Sequence, residues 1–587
     1  MKRSEVEAKY KWNLDSVVKA SEWEDLFAAL SAQKDALSLY RGKLKDKATL
    51  LACMKEESAL SIRLENLYVF AKMKQDEDTA LSSSQSMVGR IRTLAAEFSA
   101  AASFINPEII ASYSESELLS LSADLDFSDY SYVLSELARN RKRYLSDKEE
   151  ALLARVSKLA GGYQNAFTMF DNADVRFEKV KDEKGRTISL SHGVYGELMM
   201  SRNRRVRRDA YRSMFRAYKG MINTIGAIYL GNIEKDEFYA TVRGYDNALE
   251  MSMDGEHVDV KAYKILVASV NAGIPALRKY LSARKKMLGV PRLTMYDLHV
   301  PVVTGADLKL PYEQAYDLVI EALSCLGEDY AALLKKARTE GWIDVYETEN
   351  KRSGAYSWGT FTSHPYVLLN YKPTTHDVFT IAHELGHAMH SYKSDAAQPY
   401  PKAGYEIFVA EIASTVNEML LYRYLLKEGK ADRRYLLSYL ADMFRTTFFR
   451  QTMFAEFELF AHERVEKEGT VTPETLCEIY KTLNKKYYGA EPTDALIAYE
   501  WARIPHFYTS FYVYKYATGI VSAAAISDAI FRKEKGALEG YMRFLSLGGS
   551  KPPLEILSEA GVDLRTSDPF ERAMGLFSEA VEELSRL

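Results

Sequence analysis

The segment "HELGHAMH" (residues 383–390) holds three of the chain's ten histidines together with one glutamate. In a helix, His383 and His387 lie four residues apart, so both imidazoles project from one face about one turn apart. That spacing lets two nitrogens reach a single tetrahedral Zn²⁺ at about 2.0 to 2.1 Å. Glu384 follows the first of these histidines and can reach a metal-bound water without being a ligand. The pattern therefore predicts a metal-binding helix.

The residues around this motif favour a buried helix over a chance cluster of histidines. Thr374 or Thr375 can cap the first backbone N–H groups, and Asp377 follows in the first turn, where the helix dipole favours a negative charge. Gly386, which costs about 1 kcal/mol relative to alanine inside a helix, is tolerable if something packs close to it. A helix that is apolar on nearly all sides is buried, and buried ionisable groups need a partner, which a metal ion supplies. The apolar positions are Val378, Phe379, Ile381, Ala382, Leu385, Ala388 and Met389.

A catalytic zinc needs a third protein ligand and an open position for water. The apolar segment "YEIFVAEIASTVNEMLLYRYLL" (405–426) predicts a second helix, and its Glu411 is the favoured third ligand. The stretch between His387 and Glu411 is long enough for a loop and an antiparallel return, and the apolar neighbours of Glu411 predict that its carboxylate is not idle in water. Ser414, one turn on, can orient it. Glu406 and Glu418 compete for the role, and Glu418 can instead accept a proton from a ligand histidine.

His390 is the remaining histidine of the motif. It shares a face with His383, but three ligands spread over two turns of a straight helix, about 10 Å, cannot all reach one ion. A hydrogen bond outside the ligand set is favoured for His390, and a role as ligand stays open. A metzincin site would need glycine and histidine at the positions of His390 and Lys393, which excludes that class.

Composition and charge point away from nucleic acid and membrane partners. The chain has 587 residues, 47% of them hydrophobic and 27% charged, with a formal net charge of −4. The basic segment "SRNRRVRRDAYR" (201–212) is a local exception, and it is interpreted as a solvated helix face. The apolar segment at 220–233 is shorter than the roughly 20 residues that span a bilayer.

The cysteines and the first residues indicate a cytoplasmic, soluble protein. Cys53, Cys325 and Cys477 are far apart and share no CxxC spacing, so neither a zinc ribbon nor a disulfide scaffold is expected. The first 26 residues carry charge throughout and lack the apolar stretch of a signal peptide.

Helical periodicity dominates the chain. Two segments look extended instead: 175–192, with the pattern of a β-hairpin, and 355–371, one or two short strands just before the histidine helix. We place a boundary at the hairpin, between an N-terminal helical region (1–192) and a catalytic region (193–587). Apolar residues at helical spacing recur at 22–44, 56–75, 85–103 and 147–170.

The motifs "HELGHAMH" and "FVAEIAST" together resemble those of the thimet oligopeptidase and oligoendopeptidase F family of zinc peptidases. Three further segments are similar to that family: "YKWNLDSV" (10–17), "FRQTMFAEFE" (449–458) and "WARIPHFYTSFYVYKYATG" (501–519). The resemblance implies one zinc per chain, peptidase activity on short unfolded peptides, and Glu384 as general base. The zinc ligands that it implies are His383, His387 and Glu411.

The resemblance also implies that His506 and a tyrosine beyond it face the substrate. The thimet branch has a glycine-rich loop between this histidine and its tyrosines, whereas "HFYTSFYVYKY" (506–516) contains no glycine. The corresponding tyrosine is therefore not fixed: Tyr512 is the first candidate for catalysis, and Tyr516 is the second, for substrate binding.

The architecture implied by the resemblance is mainly α. It is an elongated two-lobed helical body with a deep substrate channel, the zinc helix on its floor and a small β-sheet beside that helix. The segment "YVLLNY" (366–371) is similar to the family's edge strand, which can bind substrate backbone by strand addition. Two other functions stay open: a metallocarboxypeptidase on a similar helical fold, and a helical peptide-binding scaffold without catalysis. The oligomeric state is not predicted.

Overall fold

The computed structural model describes residues 1–303, 305 and 308–587, and most of them lie in α-helices. The mainly α fold class predicted from the sequence is confirmed. In chain order the helices are α1 (Trp23–Ser31), α2 (Lys47–Glu77), α3 (Ser82–Ala102), α4 (Ile105–Ser112), α5 (Glu115–Ser122), α6 (Ser131–Asn140), α7 (Asp147–Ala160), α8 (Gly162–Met169), α9 (His192–Met199), α10 (Arg204–Gly220), α11 (Ile222–Val242), α12 (Ala248–Asp254), α13 (Val260–Ala272), α14 (Ile274–Leu288), α15 (Tyr312–Leu323), α16 (Glu328–Thr339), α17 (Thr375–Ala397), α18 (Tyr400–Ala403), α19 (Ile407–Glu428), α20 (Arg433–Met443), α21 (Arg450–Glu468), α22 (Pro473–Tyr488), α23 (Tyr514–Phe531), α24 (Ala537–Ser546), α25 (Pro553–Glu559) and α26 (Asp568–Arg586).

A short β-hairpin lies in the segment for which the sequence predicts one. Strands β1 (Val180–Lys181) and β2 (Thr187–Ile188) pair antiparallel, and a turn that includes Gly185 at φ 79° joins them. Glycine adopts this left-handed conformation without the steric penalty that other residues meet.

The second sheet lies against the histidine helix α17. It contains β3 (Ile343–Asp344), β4 (Tyr356–Trp358) and β5 (Tyr366–Leu368) in the order β3–β5–β4, with β5 parallel to β3 and antiparallel to β4. α17 packs on β4 and β5, so the predicted small sheet beside this helix is confirmed. The expectation that 366–371 forms an edge strand is wrong: β5 is central, because β3 pairs with its other side. The outer edges belong to β3 and β4.

The chain forms two compact units, each assembled from three separate segments. The first consists of Met1–Tyr144, Asp307–Glu428 and Ile526–Val562, and the second of Leu145–Ala306, Gly429–Ala525 and Asp563–Leu587. Helices α17 and α19 both lie in the first unit. The boundary at 192/193 stays a prediction.

Helix α17 is buried, as its apolar sequence predicts. Thr374 caps it, since the hydroxyl oxygen accepts a hydrogen bond from the Asp377 N–H at 3.1 Å, which confirms one of the two predicted caps. Its main neighbour is α19, whose own apolar residues face it. Each of the following α17 side chains is at most 1% exposed: Val378, Phe379, Ile381, Ala382, Leu385, Ala388 and Met389.

The basic segment 201–212 is not a solvated face throughout, which corrects the sequence interpretation. In the second unit, Arg204 and Arg207 both donate to the buried carboxylate of Asp297, with N–O distances of 2.8 and 2.6 Å. The Arg207 side chain is only 3% exposed. A buried guanidinium needs such a carboxylate, because an unpaired buried charge is strongly destabilising. These two ion pairs therefore fix the short 3-10 turn Met295–Asp297 against α10.

The three cysteines are free: Cys53 is buried, Cys477 is partly buried and Cys325 is exposed. In the part of the chain that the structure describes, no helix is both long and apolar enough to cross a bilayer.

Candidate active site

The imidazoles of His383 and His387, both on α17, lie next to each other. The Nε2 atoms of His383 and His387 lie 3.2 Å apart, and both side chains are largely buried. This arrangement follows from the four-residue spacing, which places both rings on one face of the helix.

Glu411 of α19 completes a triangle with them. Its Oε2 atom lies 3.5 Å from Nε2 of His383 and 3.4 Å from Nε2 of His387. Ser414, one turn further on, donates a hydrogen bond from its hydroxyl to the same carboxylate oxygen at 3.2 Å. The Glu411 side chain is half exposed, yet its carboxylate is not idle in water, as the sequence predicts, because it contacts both histidines and Ser414. Its apolar neighbours Phe408, Val409 and Ile412 are buried.

The triangle has the dimensions of a zinc site. Ligands at about 2.0 to 2.1 Å from a tetrahedral Zn²⁺ lie about 3.3 to 3.4 Å from one another, since this is the edge of the corresponding tetrahedron. The three separations observed here, 3.2, 3.5 and 3.4 Å, agree with that edge. Two imidazole nitrogens, one carboxylate oxygen and an exposed fourth side are also the donor set of a catalytic zinc. The side chains of His383, His387 and Glu411 therefore fit a Zn²⁺ ion.

Glu418 fixes the orientation of the first histidine. Its Oε1 lies 2.6 Å from Nδ1 of His383, and an ionised carboxylate can only accept a hydrogen bond, so the ring proton sits on Nδ1. Nε2 is thereby the ring nitrogen that faces Glu411. Burial lowers the pKa of His383, but the hydrogen bond and charge of Glu418 outweigh it and raise this pKa to about 9. The hydrogen bond to His387 and the two histidine charges outweigh burial at Glu411 and lower its pKa to about 2.

Glu384, the predicted base, is only 6% exposed. Burial raises the pKa of its carboxyl, and the neighbouring histidines oppose that shift only in part. A carboxylate with a raised pKa is a stronger proton acceptor near neutral pH than an ordinary glutamate.

The two helices approach closely because of Gly386. A Cβ at this position would lie 2.5 Å from the Cα of Ser414 and 2.6 Å from the carbonyl oxygen of Ala413. Asn417 adds a hydrogen bond between the two helices: its side-chain amide donates to the backbone carbonyl of Ala382 at 3.0 Å in the buried interface. Sequence reasoning missed Asn417, although a fully buried asparagine in an apolar helix is a signal of such a contact.

Replacing Gly386 with alanine is expected to destabilise the protein by about 1 to 3 kcal/mol, because the added methyl overlaps backbone atoms that cannot move aside. It should also weaken metal binding, since α17 and α19 must separate. Thermal unfolding and metal titration measure the two effects. The matched control is Gly575→Ala, in the interior of α26, where nothing lies within 4 Å of the added Cβ. Equal stability of the two variants would contradict this account of the helix contact.

His390 has a different environment from the one predicted. The side chain is fully buried, its ring stacks on Tyr405 at 3.8 Å between centroids, and Phe544 lies at 5.2 Å. Neither ring nitrogen has a hydrogen-bond partner among the described residues, so the expected hydrogen bond is absent there. Burial lowers the pKa of His390 to about 3 and keeps the ring neutral. It packs as an aromatic side chain.

The second unit brings the other three predicted residues together. Nε2 of His506 lies 3.1 Å from the hydroxyl of Tyr516, and the His506 ring is roughly parallel to that of Tyr512, with centroids 6.1 Å apart. All three side chains are partly exposed. Burial, with the charge of Arg450 as the second cause, lowers the pKa of His506, so this ring is neutral at pH 7.

Comparison with known proteins gives the class and the family. Residues 197–576 match the family model described as peptidase family M3, and residues 110–177 match the model described as oligopeptidase F. The helical fold and the grouped His-His-Glu side chains are those of a metallopeptidase. The chain belongs to peptidase family M3, among its oligoendopeptidase F members, and the resemblance seen in the sequence is confirmed.

Three similar proteins align with all or nearly all of the chain. Oligopeptidase PepF of Bacillus subtilis is 39% identical over 100% of this chain and 88% of its own length. Group B oligopeptidase PepB of Streptococcus agalactiae is 37% identical over 100% of this chain and 98% of its own. The solved structure of oligoendopeptidase-F from Enterococcus faecium is 32% identical, with a TM-score of 0.74 over 96% of this chain and 98% of that one.

Proposed function

We propose that the protein is a zinc-dependent endopeptidase that hydrolyses short, unfolded oligopeptides. The observation that carries the proposal is the His383–His387–Glu411 triangle, whose edges match those of a tetrahedral zinc site. The substrate class rests on the relatives, which are named oligopeptidases and oligoendopeptidases.

His383, His387 and Glu411 would hold one Zn²⁺ per chain, and Glu418 would keep the first imidazole in the tautomer that can bind it. When bound, the ion supplies a lowered pKa for its water, to about 7, and polarises the scissile carbonyl. Glu411 contributes a negative charge to the ligand set, and its half-exposed position leaves one side open to substrate.

Glu384 takes the proton of the attacking water and later delivers it to the leaving amine. Burial supports this role, because it raises the pKa of the carboxyl above the ordinary glutamate value and so strengthens it as a base. Its position directly after His383 on α17, outside the His383–His387–Glu411 group, supports a role as base and not as ligand.

His506 and Tyr512 donate hydrogen bonds to the carbonyl oxygen as negative charge develops on it, and Tyr516 binds substrate. Their shared environment supports the assignment: the three rings contact one another, remain partly exposed, and the neutral His506 can donate from only one nitrogen. Loss of one such donor typically lowers the rate by about 10² to 10³.

The experiment is a peptide series of increasing length, each with a blocked or free C-terminus, with products identified by mass spectrometry. We expect internal cleavage of blocked and free peptides alike, a decline for long and folded substrates, and complete loss with a zinc chelator. Cleavage restricted to free C-termini would establish a carboxypeptidase instead. Binding of peptides without any cleavage would establish a non-catalytic scaffold.

A further inference from the structure

The turn that precedes Tyr512 is conformationally strained. Phe511 has φ 57°, in the left-handed region that non-glycine residues rarely adopt. Its ring is buried. Such a conformation is sterically unfavourable for a residue with a side chain and persists only where the surroundings impose it. Because "HFYTSFYVYKY" contains no glycine to relieve this turn, the chain must hold it by other contacts.

Glu458 forms a hydrogen bond with the backbone of this turn. The carboxyl lies on α21, is fully buried, and its Oε1 accepts the Phe511 N–H at 3.0 Å. Burial raises the pKa of Glu458 well above its ordinary value. Glu458 is also the last residue of "FRQTMFAEFE", a segment to which the mechanism above gives no role.

Asp236 holds the same turn from α11. Its Oδ2 accepts the hydroxyl of Ser510 at 2.6 Å and lies 3.5 Å from Nε2 of His462. Burial works to raise the pKa of Asp236, but the neighbouring His462 imidazole and Lys235, together with the Ser510 hydroxyl, lower it overall. The imidazole of His462 in turn packs on the Phe511 ring, with centroids 4.5 Å apart. Residues 510 and 511 are thus both fixed immediately before Tyr512.

We propose that Glu458, together with the Asp236–His462 pair, positions the Tyr512 hydroxyl for catalysis by imposing the left-handed turn at Phe511. The inference rests on the proposed role of Tyr512. Glu458, Asp236 and His462 are positioning residues: they act through the backbone and side chains of 510 and 511. Release of Phe511 from its left-handed conformation would rotate the Tyr512 ring relative to His506. A misplacement of about 1 Å can lower a rate roughly 10²-fold.

The central variant is Glu458→Met, which keeps the volume of the side chain and removes the acceptor. We expect kcat to fall roughly ten- to a hundredfold with KM little changed. Glu458→Gln keeps both the shape of the side chain and an acceptor oxygen for the Phe511 N–H, so it should restore most of kcat. The matched control is Glu456→Met, two residues earlier on α21, where a buried carboxyl bonds to Lys486 at 2.7 Å. The control is expected to lower stability without a selective loss of kcat.

Combining Glu458→Met with Tyr512→Phe distinguishes a positioning effect on the Tyr512 hydroxyl from a general loss of stability. If Glu458 acts through the Tyr512 hydroxyl, Glu458→Met should lower kcat no further in the Tyr512→Phe background. Ser510→Ala, which removes only the hydrogen bond to Asp236, is a milder variant and should show the same non-additivity even if Glu458→Met folds poorly. Additive losses, or a Glu458→Gln variant as impaired as Glu458→Met, would overturn the inference while leaving the peptidase proposal intact. Wild-type kcat for Tyr512→Phe alone would overturn the role of Tyr512 itself.

Discussion

Replacing Glu384 with glutamine is expected to abolish nearly all peptidase activity while the protein still binds zinc. Glutamine has almost the same shape but cannot take a proton from water or return it to the leaving amine. Loss of a general acid–base residue typically lowers kcat by about 10² to 10⁴. Because Glu384 is buried and contributes no atom to the triangle, metal content should be unchanged. Fluorogenic peptide turnover and metal analysis of the same preparation measure both quantities.

Glu406→Gln is the control for this experiment, since Glu406 is an exposed glutamate near the start of α19 and should tolerate the change. A Glu384→Gln variant that retains even a tenth of wild-type kcat would contradict the assignment of the base. A variant that loses its zinc would show instead that Glu384 supports the ligands.

Replacing Glu411 with alanine is expected to remove zinc from the protein. The substitution eliminates one of the three proposed ligands and the only carboxylate among them. Removal of a residue that merely orients a ligand lowers metal affinity by about 10- to 100-fold, and removal of the ligand itself should exceed that range. Competition with a chelator of known affinity, followed by metal analysis, gives the ratio of dissociation constants.

Two further substitutions make the Glu411 result specific. Glu418→Ala removes the hydrogen bond to His383 and should weaken zinc binding by about 10- to 100-fold, less than Glu411→Ala. His390→Ala should keep zinc, because its ring packs on Tyr405 and Phe544 and is not part of the His383–His387–Glu411 group. Full zinc occupancy in Glu411→Ala combined with loss in His390→Ala would reverse the ligand assignment.

The helices around the site could be predicted because helix formation and capping depend on residues only a few positions apart in the sequence. The Thr374 cap, the buried apolar faces of α17 and α19, and the juxtaposition of Glu411 with both histidines all follow from short-range patterns and a connecting loop of suitable length. The close approach at Gly386 was likewise indicated by a glycine inside a helix.

Features that depend on distant segments could not be predicted in this way. The aromatic packing of His390 requires Phe544, which comes from a separate segment of the first unit. The central position of β5 depends on β3, a strand of two residues that is too short to show alternation. Periodicity gives no information on which segments combine, so the assembly of each unit from three separate pieces was not predicted.

The central claim is that one zinc ion lies between α17 and α19. Anomalous X-ray diffraction at the zinc absorption edge, on crystals of the full chain, tests it most directly. We expect one peak per chain, within about 2.0 to 2.2 Å of Nε2 of His383, Nε2 of His387 and Oε2 of Glu411. A single strong zinc peak elsewhere, or coordination that omits Glu411, would contradict the account.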